Sequence, residues 1–395
     1  PNTLAFAGGA GDDQATFAPG TLNAQDTVAG GGGTDRLIAD QADLIAASAM
    51  ISGMEYIQVQ DTLVNNTAGA ADVLNAADFP DAARIELALG YNNARIDDLT
   101  SAQQRVDILA NAPGGNAGNL IIDDGATSFG DDHFTLALGR TGDNNQVAAN
   151  ARFVSGEIET INLISNGDAD IAGGNTVNLA GGLVNSNTLN ITGIEDLTVV
   201  TAPSAITAVN AAEATGDLDV TNVAFSPGSG VTLTTGSGND MMTGGDHDDT
   251  IEAGAGDDVV NGSAGADTIR LGEGRDTVVY TALAQSNATA ADTIYGFVSD
   301  NDVVNVSGLG ATRFTGAQNS FDLAQGALAG GGVISAAFDT STSRLWVDMN
   351  GDGTLDGNDF RVTLDGILSV TAKDVGLTKV VTVFGGQATT GTEDS

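Results

Sequence analysis

Residues 235–279 read TGSGNDMMT, GGDHDDTIE, AGAGDDVVN, GSAGADTIR and LGEGRDTVV, five blocks of nine without a gap. Position six is aspartate in every block, at Asp240, Asp249, Asp258, Asp267 and Asp276. Position eight is apolar in every block, at Met242, Ile251, Val260, Ile269 and Val278. Position two is glycine at Gly236, Gly245, Gly254 and Gly272, and position four is glycine at Gly238, Gly256, Gly265 and Gly274.

That spacing implies a chemistry. Glycine adopts backbone angles that close a tight turn and aim carbonyls inward. A short strand at positions seven to nine buries its central residue. Two half-turns then make one coil of 18 residues, with blocks one, three and five on one side and two and four on the other. Stacked coils lie about 4.8 Å apart, so aspartates in register repel one another. Calcium takes about six to eight oxygens from carboxylates and carbonyls, and would both cancel that repulsion and cross-link the turns. The pattern resembles the RTX nonapeptide, GGxGxDxUx, of parallel β-rolls. The resemblance implies Ca²⁺ held between successive turns by glycine and other carbonyls and the position-six aspartates. Two blocks depart from the pattern. His247 takes position four of the second, and Ser263 position two of the fourth. His247 reads as a solvated turn residue, since the one other histidine, His133, has no evident partner.

Outside the repeats, two isolated runs carry the same sixth-position aspartate. They are Gly8-Gly9-Ala10-Gly11-Asp12-Asp13 and Gly30-Gly31-Gly32-Gly33-Thr34-Asp35. Asp13 and Asp35 are therefore candidate calcium ligands. Asp35 has Leu37 two places on, whereas Asp13 has only Ala15.

Near the C-terminus, residues 348–359 read DMNGDGTLDGND. Asp348, Asn350, Asp352, Asp356 and Asp359 fall at positions one, three, five, nine and twelve of an EF-hand loop. Gly353 is at six, and Thr354 offers its carbonyl at seven. Asp359 replaces the usual glutamate, and its shorter arm makes Mg²⁺ more competitive. The flanks Arg344–Val347 and Phe360–Leu364 read as strands, so this is a calcium loop in a β setting.

The rest of the chain fits an all-β protein: a parallel β-roll flanked by β-solenoid or β-sandwich regions. Residues 1–150 read as mixed and mostly β, 151–234 as solenoid-like, 235–279 as the roll, and 280–395 as a C-terminal β-rich, secretion-type region. Alternating pairs such as Ile161 and Leu163, or Leu189 and Ile191, signal short strands. A motif recurs at Gly53-Met54-Glu55-Tyr56-Ile57 and Gly193-Ile194-Glu195-Asp196-Leu197. Leu99–Leu109, with Thr100 or Ser101 as a cap, is expected to be helical.

Composition narrows the function. Asp and Glu number 52 against 13 Lys and Arg, a formal net charge of −39, yet 41% of residues are hydrophobic. Such a chain folds, wants cations and repels nucleic acid and anionic membranes. It has no cysteine and no apolar run long enough to span a membrane. With two histidines, no H-E-x-x-H and no G-x-S-x-G, a non-enzyme is expected. The chain starts at Pro1 without a charged-then-apolar leader and reads as the downstream part of a longer protein.

Asp292-Thr293-Ile294-Tyr295-Gly296-Phe297 and Asp302-Val303-Val304-Asn305 resemble the segment after the β-roll in type I secreted RTX proteins, including serralysin-type proteases. The resemblance implies export without a cleaved leader and folding on meeting extracellular calcium. The Gly/Thr/Asn/Ala-rich strands with the roll resemble RTX-type S-layer proteins. That implies a self-assembling lattice or homo-oligomer at the bacterial cell surface, with cell-surface polysaccharide as a partner through an upstream part. A large RTX adhesin, or the export module of a protease, lipase or epimerase, stays open.

Overall fold

The computed structural model describes residues 3–65, 73–99, 105–112, 115, 117–123, 133–141, 146–153, 158–167, 174–179, 186–318 and 334–377. Each strand is short because each coil gives only a few residues to a face before a glycine, asparagine or aspartate turns the chain. Successive strands on one face pair in parallel. One row begins at Gln14–Thr16 and passes through Arg36–Ala39, Tyr56–Val59, Arg84–Leu87 and Arg105–Ile108. It continues through His133–Leu138, Thr160–Ser165, Thr188–Gly193 and Ala208–Ala214. It enters the repeats at Thr232–Thr234, Thr250–Ala255 and Thr268–Glu273, and reaches Thr293–Tyr295. A second parallel row runs from Leu63–Asn65 through Tyr91–Asp97 to Val303–Asn305 on the other face. Three further parallel strands, Ala5–Ala7, Thr27–Ala29 and Ile51–Ser52, pair beside the first coils.

The flanking region is thus a β-solenoid. The coil length varies along it. Hydrogen bonds between equivalent residues of neighbouring coils span 22 residues at Asp13 and Asp35, 28 at Asn162 and Asn190, and 18 through the nonapeptides. Nine-residue half-turns are the shortest version of a coil that elsewhere carries longer turns.

Inward residues stack in columns, because a parallel register puts like beside like. Leu37, Ile57, Ile85, Val106, Leu136, Leu163 and Ile191 follow one another and are fully or almost fully buried. One hydrophobic cluster runs from Ala15 to Val375. Each such side chain contributes about 1.5–3 kcal/mol when fully buried. The helix expected at Leu99–Leu109 is not formed in its described part: Arg105–Ile108 is a strand. Val106 lies in register with Ile85 and Leu136, and Ile108 with Leu87 and Leu138, all buried, and that packing between coils overrides local helix propensity. The α-helix among the described residues is Gln41–Ala47.

The C-terminal part closes the first row. Phe360–Leu364 pairs in parallel with Thr293–Tyr295 and antiparallel with Arg344–Asp348, which pairs antiparallel with Ser335–Asp339. The EF-hand-type loop is the turn of this hairpin. Tyr280 from the end of the roll packs edge-on against Phe360, centroids 4.7 Å apart.

Candidate metal centre

The position-six aspartates form two ladders, one on each side of the roll. On one side, Oδ1 of Asp240, Asp258, Asp276 and Asp302 accepts the backbone N–H of Leu218, Asp240, Asp258 and Asp276, at 2.8, 2.8, 3.0 and 3.1 Å. On the other, Oδ1 of Asp249, Asp267 and Asp292 accepts from the N–H of Val231, Asp249 and Asp267, at 2.8, 2.9 and 2.9 Å. Each aspartate thus clips the preceding coil with one oxygen.

The second oxygen is the unusual one. Oδ2 of Asp240, Asp258, Asp267 and Asp276 is buried and has no hydrogen-bond donor. A buried carboxylate oxygen without a partner is costly. Asp249 is the exception in the repeats, its Oδ2 accepting from the Gly245 N–H at 2.6 Å. Burial foremost pushes these carboxyls up, Asp240 to about 6, Asp258 to about 7, Asp267 to about 8 and Asp276 to about 6. Neighbouring aspartates add to it: Asp292 and Asp249 for Asp267, Asp240 and Asp276 for Asp258. Burial likewise raises Asp249.

The glycines leave room for carbonyls rather than side chains. A methyl on Gly254 would lie 2.1 Å from the Gly236 carbonyl oxygen, and one on Gly272 would lie 1.8 Å from that of Gly254. Gly256 and Gly274 stack in the same way on Gly238 and Gly256. Gly254, Gly256, Gly265, Gly272 and Gly274 all have positive φ. Ser263 keeps that left-handed conformation, φ 70°, despite its side chain, so the fourth block preserves the turn. His247 is exposed on its turn.

Among the described residues no three His, Asp or Glu side chains gather as a metal site built from side chains alone would need. A cation here must take most of its oxygens from carbonyls. The donor set fits a hard divalent ion: unpartnered carboxylate oxygens beside stacked glycine turns.

Two features were not legible in the spacing of nine. The ladders extend past the repeats to Asp292 and Asp302, reached over 25 and 26 residues. Their signal is an aspartate two places before a buried residue, Ile294 and Val304. Both ends are capped: Tyr280 Oη donates to Asp292 Oδ2 at 2.8 Å, and the Val298 N–H donates to Asp302 Oδ2 at 2.7 Å. Position five carries a second set of clips running the other way. Asp217, Asn239 and Asp257 accept from the N–H of Asn239, Asp257 and Arg275 at 2.6, 2.8 and 2.9 Å.

The remaining candidates lie at the two ends of the chain. The Asp13 N–H donates to Asp35 Oδ1 at 2.8 Å, placing the two N-terminal runs on adjacent coils. In the C-terminal loop, Asp348 accepts from the Gly351 and Gly353 N–H at 2.7 and 2.8 Å. Asp359 accepts from Met349 and Asp356 at 2.9 and 2.8 Å. Asn350 and Asp352 side chains take the N–H groups two residues on, and Asp356 that of Asn358. Asp348 and Asp359 are fully buried. Burial, with Asp348 and Asp356 nearby, raises the Asp359 carboxyl. These bonds hold residues 348–359 as a series of tight turns in which each carboxylate accepts N–H groups of the loop itself. Thr354 contributes its position, following Gly353 with φ 83°.

Residues 232–260 and 243–278 match the profile of the RTX calcium-binding nonapeptide repeat (4 copies). No curated protein matches the chain. RTX nonapeptide repeats bind Ca²⁺, so residues 232–278 are a calcium-binding module of RTX type, and that module is non-catalytic. Among the described residues, no helix is long and apolar enough to cross a membrane.

Proposed function

We propose that this chain is a calcium-dependent, self-assembling structural protein of the bacterial cell surface, of S-layer type and without catalytic activity. The observation that carries the calcium part is the set of buried Oδ2 atoms at Asp240, Asp258, Asp267 and Asp276 that no donor reaches. Gly236, Gly238, Gly245, Gly254, Gly256, Gly265, Gly272 and Gly274 shape the turns between which the ions are held. Asp348, Asn350, Asp352, Thr354, Asp356 and Asp359 hold a separate ion in the hairpin loop.

Export fits the same physics. Where calcium is scarce, ladders of aspartate resist folding, and the chain stays extended for type I transport. At millimolar calcium outside, binding energy becomes folding energy. Assembly into a lattice is supported by the charge: at −39, like surfaces approach only when divalent ions bridge them. Negative-stain microscopy and light scattering of the purified chain across a Ca²⁺ titration test this. Ordered sheets or large oligomers that dissolve in chelator are expected. A monomer at millimolar Ca²⁺ overturns the assembly, leaving a calcium-folded monomer.

A further inference from the structure

Basic residues are scarce in this chain, 13 in all, yet four of them line one recess. Arg36, Arg84, Arg105 and Arg140 surround about 350 Å³ on the outward side of the first strand row, upstream of the roll. Two buried acids hold three of the guanidiniums. Glu86 pairs with Arg36 at 2.9 Å and with Arg84 at 3.1 Å. Asp107 pairs with Arg84 and, at 2.7 Å, with Arg105. Arg36 and Arg84 also lie over the Tyr56 ring, 5.5 and 5.4 Å from its centroid. These side chains are thus oriented before any ligand arrives.

Pairing does not use the cations up. All four ion pairs run through Nε or Nη2, which leaves Nη1 of Arg36, Arg84 and Arg105 clear of both acids. The three side chains are 30%, 24% and 34% exposed, enough to reach a ligand. Arg140 is exposed and has no ion pair among the described residues. Four guanidiniums against two carboxylates leave the recess positive within a chain of net charge −39. Guanidinium forks match planar oxyanions.

Strand register carries the recess into a line of amides. Arg105 lies beside Thr135, Thr135 beside Asn162, Asn162 beside Asn190 and Asn190 beside Asn210. Steps of about 4.8 Å make this line about 20 Å long. The Asn190 amide donates to Asn162 Oδ1 at 2.8 Å, and that of Asn210 to Asn190 Oδ1 at 3.0 Å. An amide tied in this way keeps a second N–H and further acceptor capacity. A groove of about 420 Å³ runs beside Asn162, Asn190 and Asn210. The strand Thr160–Ser165 lines both groove and recess, through Asn162 and Ile164.

We propose that recess and groove together bind an acidic saccharide chain, its carboxylate on the arginines and its hydroxyls on the asparagine ladder. The guanidiniums take the charge, and the regular line of amides takes donors and acceptors spaced along a polymer. A second copy of the chain fits less well. It brings a net charge of −39 across a broad surface, whereas a thin polymer feels the local positive excess within a Debye length of about 8 Å. The recess lies outside the roll, so a calcium-loaded monomer carries it as fully as a lattice does.

The test is isothermal titration calorimetry of the full chain in saturating Ca²⁺. The probes are oligosaccharides of hyaluronan, unsulfated chondroitin and polysialic acid, each set against its carboxyl-reduced form, and inorganic phosphate. Binding of at least one acidic oligosaccharide is expected, tighter with chain length, weakened by NaCl and lost on carboxyl reduction. Arg140→Ala, which breaks no ion pair, is expected to weaken it about tenfold, the order of one charge-assisted hydrogen bond. Asn190→Ala is expected to remove the gain from length; should it fail to fold, the wild-type comparison of acidic and reduced forms decides. Binding of phosphate alone overturns the saccharide and leaves a simple anion site. Equal binding of the reduced forms, or an Arg140→Ala variant that binds as the parent does, overturns the role of the recess. Oligomers lost in Arg140→Ala, with no saccharide bound by the parent, assign the recess to a second copy instead. No binding of any of the three overturns the site.

Discussion

The Tyr280 hydroxyl donates to Asp292 Oδ2 at 2.8 Å inside the core, completing a carboxylate ladder whose preceding member, Asp267, leaves that oxygen without a donor. The ring also packs on Phe360 of the closing hairpin. One side chain therefore ends the ladder and joins it to the C-terminal strands.

Removing that donor has a definite cost. Tyr280→Phe keeps the packing and strips the hydrogen bond from a fully buried carboxylate. A loss of about 1–3 kcal/mol is expected, read as a lower denaturation midpoint in Ca²⁺. An unchanged midpoint would show that water or an ion replaces the hydroxyl.

The sign of the pH dependence differs with and without calcium. Asp258 and Asp267 stand at about 7 and about 8 in the fold, against roughly 3.9 in an unfolded chain. The folded state therefore binds more protons, so its stabilisation is complete below about pH 4 and is lost as pH rises through 6–8. The calcium-free chain is expected to gain ordered β-structure by circular dichroism on acidification from pH 8 to 5. Calcium affinity should fall over the same range, because protons and metal compete. A calcium-free chain that loses structure on acidification in that window would contradict the buried, unpaired state of these carboxyls.

Asp258→Asn should change sign with metal. The amide resembles the protonated carboxyl, so at pH 8 without calcium the variant is expected to be more stable than the parent. With calcium it loses a ligand charge and is expected to be less stable. Chemical denaturation of both chains in chelator and in Ca²⁺ reads this directly, and a variant that is weaker in both conditions would refute it.

The hairpin loop carries its own reporter. Trp346, the sole tryptophan, precedes Asp348 by two residues. Terbium emission excited through tryptophan is expected, is expected to vanish in Asp348→Asn, and should persist in Asp267→Asn. Emission that follows Asp267 instead would place the ion in the roll and not in this loop.

Ser263 offers a stabilising change. It holds φ at 70°, a conformation that costs an L-residue about 1–2 kcal/mol and glycine nothing. After the extra entropy glycine loses on folding, about 0.5–1 kcal/mol, Ser263→Gly is expected to gain up to about 1 kcal/mol. A melting temperature below that of the parent would argue that the serine hydroxyl has a role.

The repeats were readable because their geometry is local: nine residues fix a turn, a carboxylate and one inward side chain, and repetition fixes the stack. Period-two burial similarly announced short strands such as Thr160–Ser165. Sequence left sandwich and solenoid open, since alternation describes one strand and says nothing of its neighbour. Only the parallel pairing of coils 22 and 28 residues long decided it, and that pairing also turned Arg105–Ile108 from helix into strand. The ends of the ladders, Asp292 beside Asp267 and Asp302 beside Asp276, likewise needed the tertiary structure. Their partners are set by which coil lies next in space, and turns of variable length erase that from the spacing.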